Sequence, residues 1–331
     1  MKIEKYPLFD KETFDGMKYC FVVNPAAGKG VGVDALREKI KKVCTEKELD
    51  YEIYFTKAVG DATDYVIRTA SDTDKDHRFY ACGGDGTLSE VVLGAMRADN
   101  KEHISVGLIP VGTGNDFVRN FTDKENFFDI ESQTEAKEIE IDLLRCNDMY
   151  SVNMFNIGFD CEVVVKTAKL KKSPLIPSKM AYIAGLIVTL IRKPGVRASF
   201  SFDGSEPKAC RYLLNTYANG SFCGGGFHSN PKAELSDGRI DTLLVNNISR
   251  LKFVSLVGDY KKGTHLCPKF EKIITNQKAS RIDIEFDKDA NICIDGEVVT
   301  ARELHISVCP GALRFLVPNG SHMLKETQKS E

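Results

Sequence analysis

The sequence predicts an α/β domain built on a parallel sheet, followed by a domain of antiparallel strands packed as a β-sandwich. Two observations lead to this fold class. Apolar strand-like runs alternate with helical patterns up to about residue 139, and a two-residue alternation follows. The 331 residues, 42% of them hydrophobic, are enough for two domain cores. We assign 17–140 to the first domain, 141–318 to the second and 319–331 to a polar tail.

The first domain is predicted from four apolar runs and the patterns between them. In 33–44 and in 62–70, apolar residues recur on one helical face. Strands that are apolar on both sides and alternate with helices are typical of a parallel sheet covered on both faces. Such sheets bind ligands at the carboxyl ends of their strands. The four predicted strands are 19–23, 51–55, 79–82 and 104–109.

The second domain is predicted from hairpin signals. The alternating run 138–157 is interrupted at Cys146-Asn147-Asp148, which predicts two strands joined by a turn. Residues 197–218 predict another pair of strands, and 282–317 predict several more. Helical patterns cover about 160–192 and 249–262. The second domain is therefore expected to be mostly antiparallel.

Composition excludes several classes of protein. A net charge of -2 provides no basic field, so we expect no nucleic-acid partner. The ten cysteines are scattered singly and the six histidines are dispersed, which argues against disulfides, a zinc site and a catalytic triad. The amino terminus lacks a signal peptide, and the apolar window 180–191 is shorter than the roughly 20 residues of a spanning helix. We expect a cytoplasmic protein.

The stretch "YACGGDGTLSEVVLGAM" at 80–96 places three glycines between a predicted strand and a predicted helix. Thr87 and Glu90 have the spacing of a capping box at the start of that helix. Unpaired N–H groups and the helix dipole attract anions there, and glycine lets a phosphate approach the backbone. A tight strand-to-helix turn without a ligand is the alternative interpretation.

Two further glycine-containing loops follow predicted strands, "NPAAGKG" at 24–30 and "PVGTGND" at 110–116. All three are expected at one edge of the sheet, where Asn24, Lys29, Thr113 and Asn115 would bind phosphate or ribose. Asp85 would orient a loop or a magnesium-bound water. A P-loop would need Ser or Thr after Lys29, and no dinucleotide fingerprint opens the first helix. The loops therefore predict a different kind of nucleotide-phosphate site.

With "FNIGFDCEV", "NGSFCGGGFHSNPKAELSDGRIDTLLV" and "ICIDGEVV" in the second half, the order of these motifs over 19–318 resembles the soluble diacylglycerol kinase family, which includes sphingosine and ceramide kinases. The resemblance implies an ATP-binding domain related to phosphofructokinases and NAD kinases, with ATP in the cleft beside the β-sandwich. Leu93 departs from the asparagine frequent in the family. The implied nucleotide-binding residues are Asn24, Gly28, Lys29, Thr56, Gly83, Gly84, Asp85, Gly86, Thr87, Glu90, Thr113 and Asn115.

The resemblance also implies the catalytic and metal-binding residues. Asp295 in "ICIDGEVV" takes the position of the catalytic base, with Glu297 as a supporting carboxylate, although Asp-Gly here is also a strong hairpin signal. Asp237 takes the position of a ligand to a structural magnesium ion, or it belongs to a solvent-exposed turn. Waters on that ion would link it to acids at the domain interface. These acids are Asp85, Asp116 and Asp142.

A basic segment at 166–179 precedes the apolar window. We expect it to face an anionic membrane surface, the alternative being a solvated face beside a core helix. Its lysines are Lys166, Lys169, Lys171, Lys172 and Lys179.

The expected function is an ATP- and magnesium-dependent kinase that phosphorylates a lipid hydroxyl, with diacylglycerol as the preferred acceptor and phosphatidic acid as the product. The resemblance implies a protein peripheral to the inner face of the membrane, with a homodimer as one possible state. Alternatives are a sphingoid base, ceramide or phosphatidylglycerol as acceptor, a soluble-metabolite kinase resembling NAD kinase, and a non-catalytic regulator.

Overall fold

The computed structural model describes residues 16–30, 32–71, 75–171, 189 and 195–324. The first four strands pair in parallel in the order β2-β1-β3-β4, and β1, β3 and β4 each end near a glycine loop that the sequence marks as functional. Their apolar patterns predicted these elements to within a few residues. The elements are β1 (Met17–Val23), α1 (Val33–Glu46), β2 (Asp50–Phe55), α2 (Asp61–Ala70), β3 (Asp76–Gly83), α3 (Asp85–Arg97) and β4 (Ile104–Pro110).

Helices cover both faces of this parallel sheet. Phe21 of β1 points to one face and packs in a core with Ile40 of α1. Val22, its neighbour, points to the other face and packs with Val66 of α2 and Leu88 of α3. Successive strand residues alternate between faces, so a strand buried on both sides is apolar throughout. This two-sided burial explains the continuous apolar runs of the sequence.

The two halves of the chain share one continuous sheet. After α4 (Ile130–Thr134), strand β5 (Lys137–Cys146) runs through the predicted boundary at residue 140 and pairs antiparallel with β13 (Glu297–Val317). The carboxyl-terminal end of β13 then joins β4 in parallel, with Phe315 beside Val106. The last residues of β13 therefore pack in the core of the first half.

The remaining strands pair antiparallel and surround a second apolar core, as the hairpin signals predict. Phe155, Phe200 and Ile282 lie in this core. Two helices pack outside it, where the rings of Phe159 and Phe253 are 4.4 Å apart. The elements are β6 (Met149–Ser151), β7 (Met154–Gly158), α5 (Phe159–Lys171), β8 (Val196–Phe202), β9 (Lys208–Ala218), β10 (Ile240–Asn246), α6 (Arg250–Lys262), β11 (Ile274–Ala279) and β12 (Arg281–Ile294).

The cysteines and the apolar window can be compared with the sequence predictions. All ten cysteines carry free thiols, as their scattered positions predicted. Except for Thr189, the apolar window 180–191 lies outside the described residues, as do Lys172 and Lys179 of the basic segment. Within the described ranges, no helix has the length and hydropathy needed to cross a membrane.

Gly94 marks the close contact between α2 and α3. A Cβ at this position would lie 2.7 Å from Val66 Cβ and 2.9 Å from the carbonyl oxygen of Thr63. We expect Gly94→Ala to lower the free energy of unfolding by about 1–3 kcal/mol, because overpacking exceeds the gain in helix propensity. Denaturant unfolding measures this difference.

Gly258 in α6 is the matched control, since a Cβ there would meet nothing within 4 Å. Gly258→Ala should raise the free energy of unfolding by about 0.5–1 kcal/mol through helix propensity alone. Equal stabilisation by both substitutions would contradict the tight contact at Gly94.

Candidate functional site

The three glycine loops meet at the carboxyl ends of the parallel strands. The Gly112 N–H donates to the carbonyl of Gly83 at 3.0 Å, and a Cβ on Gly112 would lie 2.3 Å from the Cα of Gly84. A Cβ on Gly28, whose φ is 56°, would lie 2.6 Å from the carbonyl oxygen of Val111. The loop backbones are in direct contact. Glycine is needed at these positions for packing as well as for any ligand.

Asn24 joins the first loop to α3. Its Nδ2 donates to Thr87 Oγ1 at 3.1 Å, and its Oδ1 accepts from the Ala26 N–H at 2.9 Å. Lys29 lies exposed in the same loop with a φ of 67°. Thr56 is partly buried beside this loop, where its N–H donates to the carbonyl of Val23 at 2.9 Å. Asn24, Lys29 and Thr56 therefore surround the end of β1.

The predicted capping box at Thr87 and Glu90 is wrong. The helix begins at Asp85, two residues earlier, because Gly84 serves as the N-cap in an extended conformation. Glu90 instead accepts a hydrogen bond from the Ala62 N–H at 3.3 Å, at the start of α2, and Thr63 Oγ1 donates to its carbonyl at 2.8 Å. The Glu90 carboxylate thus links α3 to the start of α2.

The third loop is closed by Asn115. Its Nδ2 donates to the carbonyls of Pro110 at 2.8 Å and Gly112 at 3.1 Å, and its φ is 48°. Thr113 lies exposed within the loop, available to a ligand. Asn115 therefore shapes the loop with its side-chain amide, while Thr113 presents its hydroxyl at the surface.

Two carboxylates connect this third loop to its surroundings. Asp85 Oδ1 accepts from the backbone N–H groups of Asp116 at 2.8 Å and Phe117 at 3.1 Å. The carboxylate of Asp116 accepts from the N–H of Gly225 at 2.9 Å and of Gly226 at 2.7 Å, in a loop of the second half. Hydrogen bonds thus run from the start of α3 to the loop at 224–226.

The environment of Asp85 disfavours its charged form. Burial, and next the charge of Asp116, raise the pKa of Asp85 to about 6, although the two N–H donors act in the opposite direction. A carboxyl group whose pKa is near neutrality beside a glycine-rich helix start is a frequent feature of active sites. The sequence motif predicted the position of Asp85 but not this shift.

Asp295 occupies the two-residue turn between β12 and β13, with a φ of 46° followed by Gly296 at 98°. The hairpin alternative for Asp-Gly is therefore realised. Its carboxylate also accepts four hydrogen bonds, from Ser151 Oγ at 2.6 Å and from the N–H groups of Met154 at 2.8 Å, Val152 at 2.9 Å and Asn153 at 3.2 Å. Burial raises the pKa of Asp295, while these hydrogen bonds oppose the rise.

Glu297 follows the same turn and is exposed. A Cβ on Gly86, in the first turn of α3, would lie 3.6 Å from Glu297 Oε1. Among the described residues, no donor to the Glu297 carboxylate lies within hydrogen-bond distance. The β12–β13 turn therefore places this carboxylate over the helix start where the glycine loops meet.

A cavity of about 160 Å³ connects the carboxylates with apolar side chains of the second half. Asp85, Asp116 and Asp295 contribute to its lining. The buried Oδ1 of Asn156, which also lines the cavity, has no hydrogen-bond partner among the described residues. The apolar part of the lining comes mainly from β7, α5 and α6 and includes Met154, Phe159, Val163, Phe253, Leu256 and Tyr260.

The surroundings of Asp237 do not fit the structural magnesium ion that the resemblance implies. The Lys278 ammonium contacts the Asp237 carboxylate and lies 3.4 Å from Glu234 Oε1. Burial acts to lower the pKa of Lys278, but the hydrogen bond and charge of Asp237 raise it overall. Lysine therefore supplies the positive charge beside Asp237. Within the described residues, no cluster of three His, Cys, Asp or Glu side chains could hold a metal ion.

Asp142 lies next to this pair and is only 2% exposed. Its carboxylate accepts from the N–H of Gly238 at 2.6 Å and of Gly311 at 2.8 Å, so it holds two turns together. Burial raises the pKa of Asp142, and the neighbouring Asp237 charge adds to the rise. Asp142 and Asp116 thus both hold backbone N–H groups directly, whereas the resemblance implied contact with a metal through water.

Lys166 is the one lysine of the basic segment whose side-chain environment is described. It lies 3.9 Å from Glu162, one turn earlier in α5. Lys169 and Lys171 belong to the same helix.

Comparisons with known proteins agree with this architecture. Residues 18–146 match the diacylglycerol kinase catalytic domain, and residues 153–317 match the YegS C-terminal NAD kinase beta sandwich-like domain. A probable YegS-like lipid kinase of Stenotrophomonas maltophilia is 30% identical over 315 residues, covering 90% of this chain and 96% of that protein. The chain belongs to the YegS-like lipid kinase family. Membership of this family identifies it as a kinase.

Other relatives of this YegS-like kinase extend the match. A probable YegS-like lipid kinase of Chromohalobacter salexigens is 25% identical, with 90% of this chain and 93% of that protein covered. The crystal structure of a diacylglycerol kinase from Bacillus anthracis has a TM-score of 0.69 at 22% identity, covering 93% of this chain and 99% of that one. The structural match shows the shared two-domain fold.

Sequence reasoning missed several contributors to the site of this YegS-like kinase. The Gly225 and Gly226 donors to Asp116 are part of a three-glycine run at 224–226, which was visible in the sequence but had no assigned role. Lys278 and Ser151 lacked any local signal, because their partners Asp237 and Asp295 lie 41 and 144 residues away. Long-range partners of this kind become apparent only in the fold.

The raised pKa of Asp85 predicts a pH-dependent stability effect. Its native pKa of about 6 exceeds the ordinary 3.8, so the folded protein takes up this proton more readily than the unfolded chain. The ionised group therefore lowers stability as pH rises from about 4 to 6, reaching a penalty of about 3 kcal/mol above that range. Asp85→Asn should be about 1–3 kcal/mol more stable than wild type at pH 8 and not at pH 4.

Asp129→Asn is the control for this pH series. The pKa of Asp129 is lowered by its hydrogen bonds from Ser132, so its ionised form stabilises the fold and the substitution should give no gain at pH 8. Denaturant unfolding of both variants at several pH values measures the effect. A gain by Asp85→Asn that is constant from pH 4 to pH 8 would contradict the assignment.

The Lys278 contact predicts how magnesium affects stability without nucleotide. Because the ammonium already neutralises Asp237 and Glu234, up to about 10 mM Mg²⁺ should leave the wild-type melting temperature unchanged. Lys278→Met should lower the melting temperature, and Mg²⁺ should restore part of it. Lys269→Met, which removes a surface ion pair with Asp259 at 3.1 Å, should show no magnesium response. A magnesium-dependent rise in the wild-type melt would show that the ion displaces Lys278.

Proposed function

We propose that this chain transfers the γ-phosphoryl group of ATP to the hydroxyl of a lipid, with diacylglycerol as the preferred acceptor. One observation carries the proposal: the apolar cavity is lined by the carboxylates that surround the phosphate loops. A phosphoryl donor and an apolar acceptor can therefore meet at one point. The family supports kinase chemistry, and the cavity supports the lipid acceptor.

On the nucleotide side, the supporting features are the contacting glycine loops and the start of α3. Helix amino termini and glycine backbones bind phosphate through N–H groups. Lys29 and Thr113 are exposed there and would contact phosphate oxygens. Magnesium would enter with ATP and neutralise phosphate charge, and Asp85 Oδ2, to which no backbone N–H donates among the described residues, is the carboxylate oxygen suited to face it.

On the acceptor side, the cavity favours a lipid over a soluble metabolite. A dinucleotide would bury polar groups against Phe159, Phe253 and Leu256 without hydrogen-bond partners, which is unfavourable. An acyl chain has no polar groups and therefore loses no hydrogen bonds when it is buried there.

We assign the proton-accepting role to Glu297, which changes the division of roles that the resemblance implies. Both oxygens of Asp295 accept hydrogen bonds from the β6–β7 connection, and protonating this carboxylate would weaken them. Among the described residues, no group donates a hydrogen bond to the Glu297 carboxylate, which lies over the start of α3. Asp295 is then a positioning residue, since the backbone that it holds includes Asn153 and Met154 of the cavity.

In the proposed phosphoryl transfer, each part of the site has one role. The glycine loops hold the triphosphate, and the cavity holds the acyl part of the acceptor. Glu297 takes the hydroxyl proton as the oxygen attacks the γ-phosphorus, and the ADP oxygen leaves. Apolar walls exclude water, which limits hydrolysis of ATP.

Glu297→Gln tests the proton acceptor. Turnover should fall by about two to four orders of magnitude, because the amide cannot take a proton. ATP affinity and the thermal melt should change little, since the side chain is exposed. Glu303→Gln, at another exposed glutamate of β13, is the matched control and should keep wild-type turnover. Undiminished turnover in Glu297→Gln would remove Glu297 from the chemistry.

The acceptor itself is tested by comparing the candidates directly. The protein is incubated with labelled ATP, Mg²⁺ and each candidate acceptor in turn, and products are identified by mass spectrometry. The candidates are diacylglycerol, sphingosine, ceramide, phosphatidylglycerol and NAD. Phosphatidic acid should form fastest. Preferential phosphorylation of NAD would overturn the lipid assignment, and another labelled lipid would replace diacylglycerol as the acceptor.

A further inference from the structure

The helix α6 exposes apolar side chains on its outer face. Leu251 is 84% exposed and Val254 is 62% exposed, and their spacing of three residues makes them neighbours on the helix. Helical geometry places Lys261 and Lys262 on the same side, two to three turns further along. We call the exposed positions of this helix the outer face. They are Arg250, Leu251, Lys252, Val254, Ser255, Gly258, Lys261 and Lys262.

The inner face of the same helix forms part of the cavity wall. Phe253, Leu256 and Tyr260 are buried, and all three line the cavity. The helix is held at its ends by the N-cap Ser249 and by Gly263, whose φ is 75°. Only one helix thickness, about 10 Å, therefore separates the outer face from the proposed acyl site.

The outer face is cationic as well as apolar. Four of its eight positions are Arg or Lys and none is acidic, although the whole chain has a net charge of -2. Asp259, the one acid of the helix, pairs with Lys269 at 3.1 Å and accepts from Thr264 Oγ1 at the same distance. Apolar residues flanked by cations are typical of helices that lie on anionic lipid surfaces.

We propose that the outer face of α6 docks this kinase on an anionic bilayer, a proposal that rests on the lipid acceptor proposed above. The cavity volume of about 160 Å³ supports this occupant. A cavity of about that size holds one benzene molecule. A long acyl chain therefore extends beyond it, and a bilayer beside α6 would receive the remainder. An acidic protein surface would match the lysines but leaves Leu251 and Val254 without an apolar partner.

Vesicle sedimentation tests the docking. Wild-type protein should sediment with vesicles of phosphatidylcholine and phosphatidylserine, more weakly at high salt, and hardly at all with phosphatidylcholine alone. Lys252→Glu with Lys262→Glu should weaken binding by about tenfold or more. Leu251→Ser with Val254→Ser should weaken it by a similar factor through lost apolar burial.

Matched controls separate docking from general charge and hydropathy. Lys41→Glu with Lys42→Glu reverses an exposed lysine pair on α1, and Val59→Ser removes a side chain that is 90% exposed. Both should bind vesicles as wild type does. Equal loss in these controls and in the α6 variants, or failure of the wild type to bind the anionic vesicles, would overturn the proposal.

Activity measurements distinguish this proposal from the proposed function. With a short-chain acceptor dissolved as monomers, the α6 variants should turn over like wild type, whereas turnover with vesicle-borne acceptor should fall about tenfold or more. If no lipid is phosphorylated and vesicle binding persists, the acceptor assignment fails and docking stands. A contrary outcome is that light scattering shows a wild-type dimer that the α6 variants no longer form, while these variants still bind vesicles as wild type does. In that case the outer face is a dimer contact and docking is wrong.

Discussion

The carboxylate of Asp116 is the interaction on which the arrangement of the site depends. Its two oxygens accept hydrogen bonds from Gly225 and Gly226 of the second half, while its own N–H is held by Asp85 at the start of α3. The glycine loops and the cavity wall are thereby fixed to one another. Glycine is suited to positions 225 and 226, where φ values of 80° and 105° turn both N–H groups toward one carboxylate.

This arrangement buries negative charge at a cost in stability. Asp85, Asp116 and Asp295 line one cavity, and burial raises the pKa of both Asp85 and Asp295. Such concentrations of like charge are unfavourable in a resting protein and are typical of active sites. Backbone N–H groups offset part of the cost. Glu297 stays exposed at the surface.

Local sequence pattern predicted the parts of the fold that local physics determines. The strands and helices of the first half followed from two-sided burial, and the meeting of three glycine loops followed from the parallel arrangement of their strands. Glu90 was predicted wrongly as a capping residue, because its actual partner, the Ala62 N–H, lies 28 residues earlier. Lys278 beside Asp237 and the cavity between α5 and α6 were equally beyond prediction, since both depend on which distant strands and helices become neighbours.

The proposed function requires the acyl part of the acceptor to lie in the cavity beside the glycine loops. Photocrosslinking tests it most directly, with a diacylglycerol that carries a diazirine near the glycerol end of one chain. After irradiation and digestion, we expect labels on peptides that contain Phe159 or Val163 of α5 and Leu256 of α6, and unlabelled diacylglycerol should reduce this labelling. Labels confined to peptides remote from this cavity, or labels that unlabelled lipid does not reduce, would show that the acyl chain binds elsewhere.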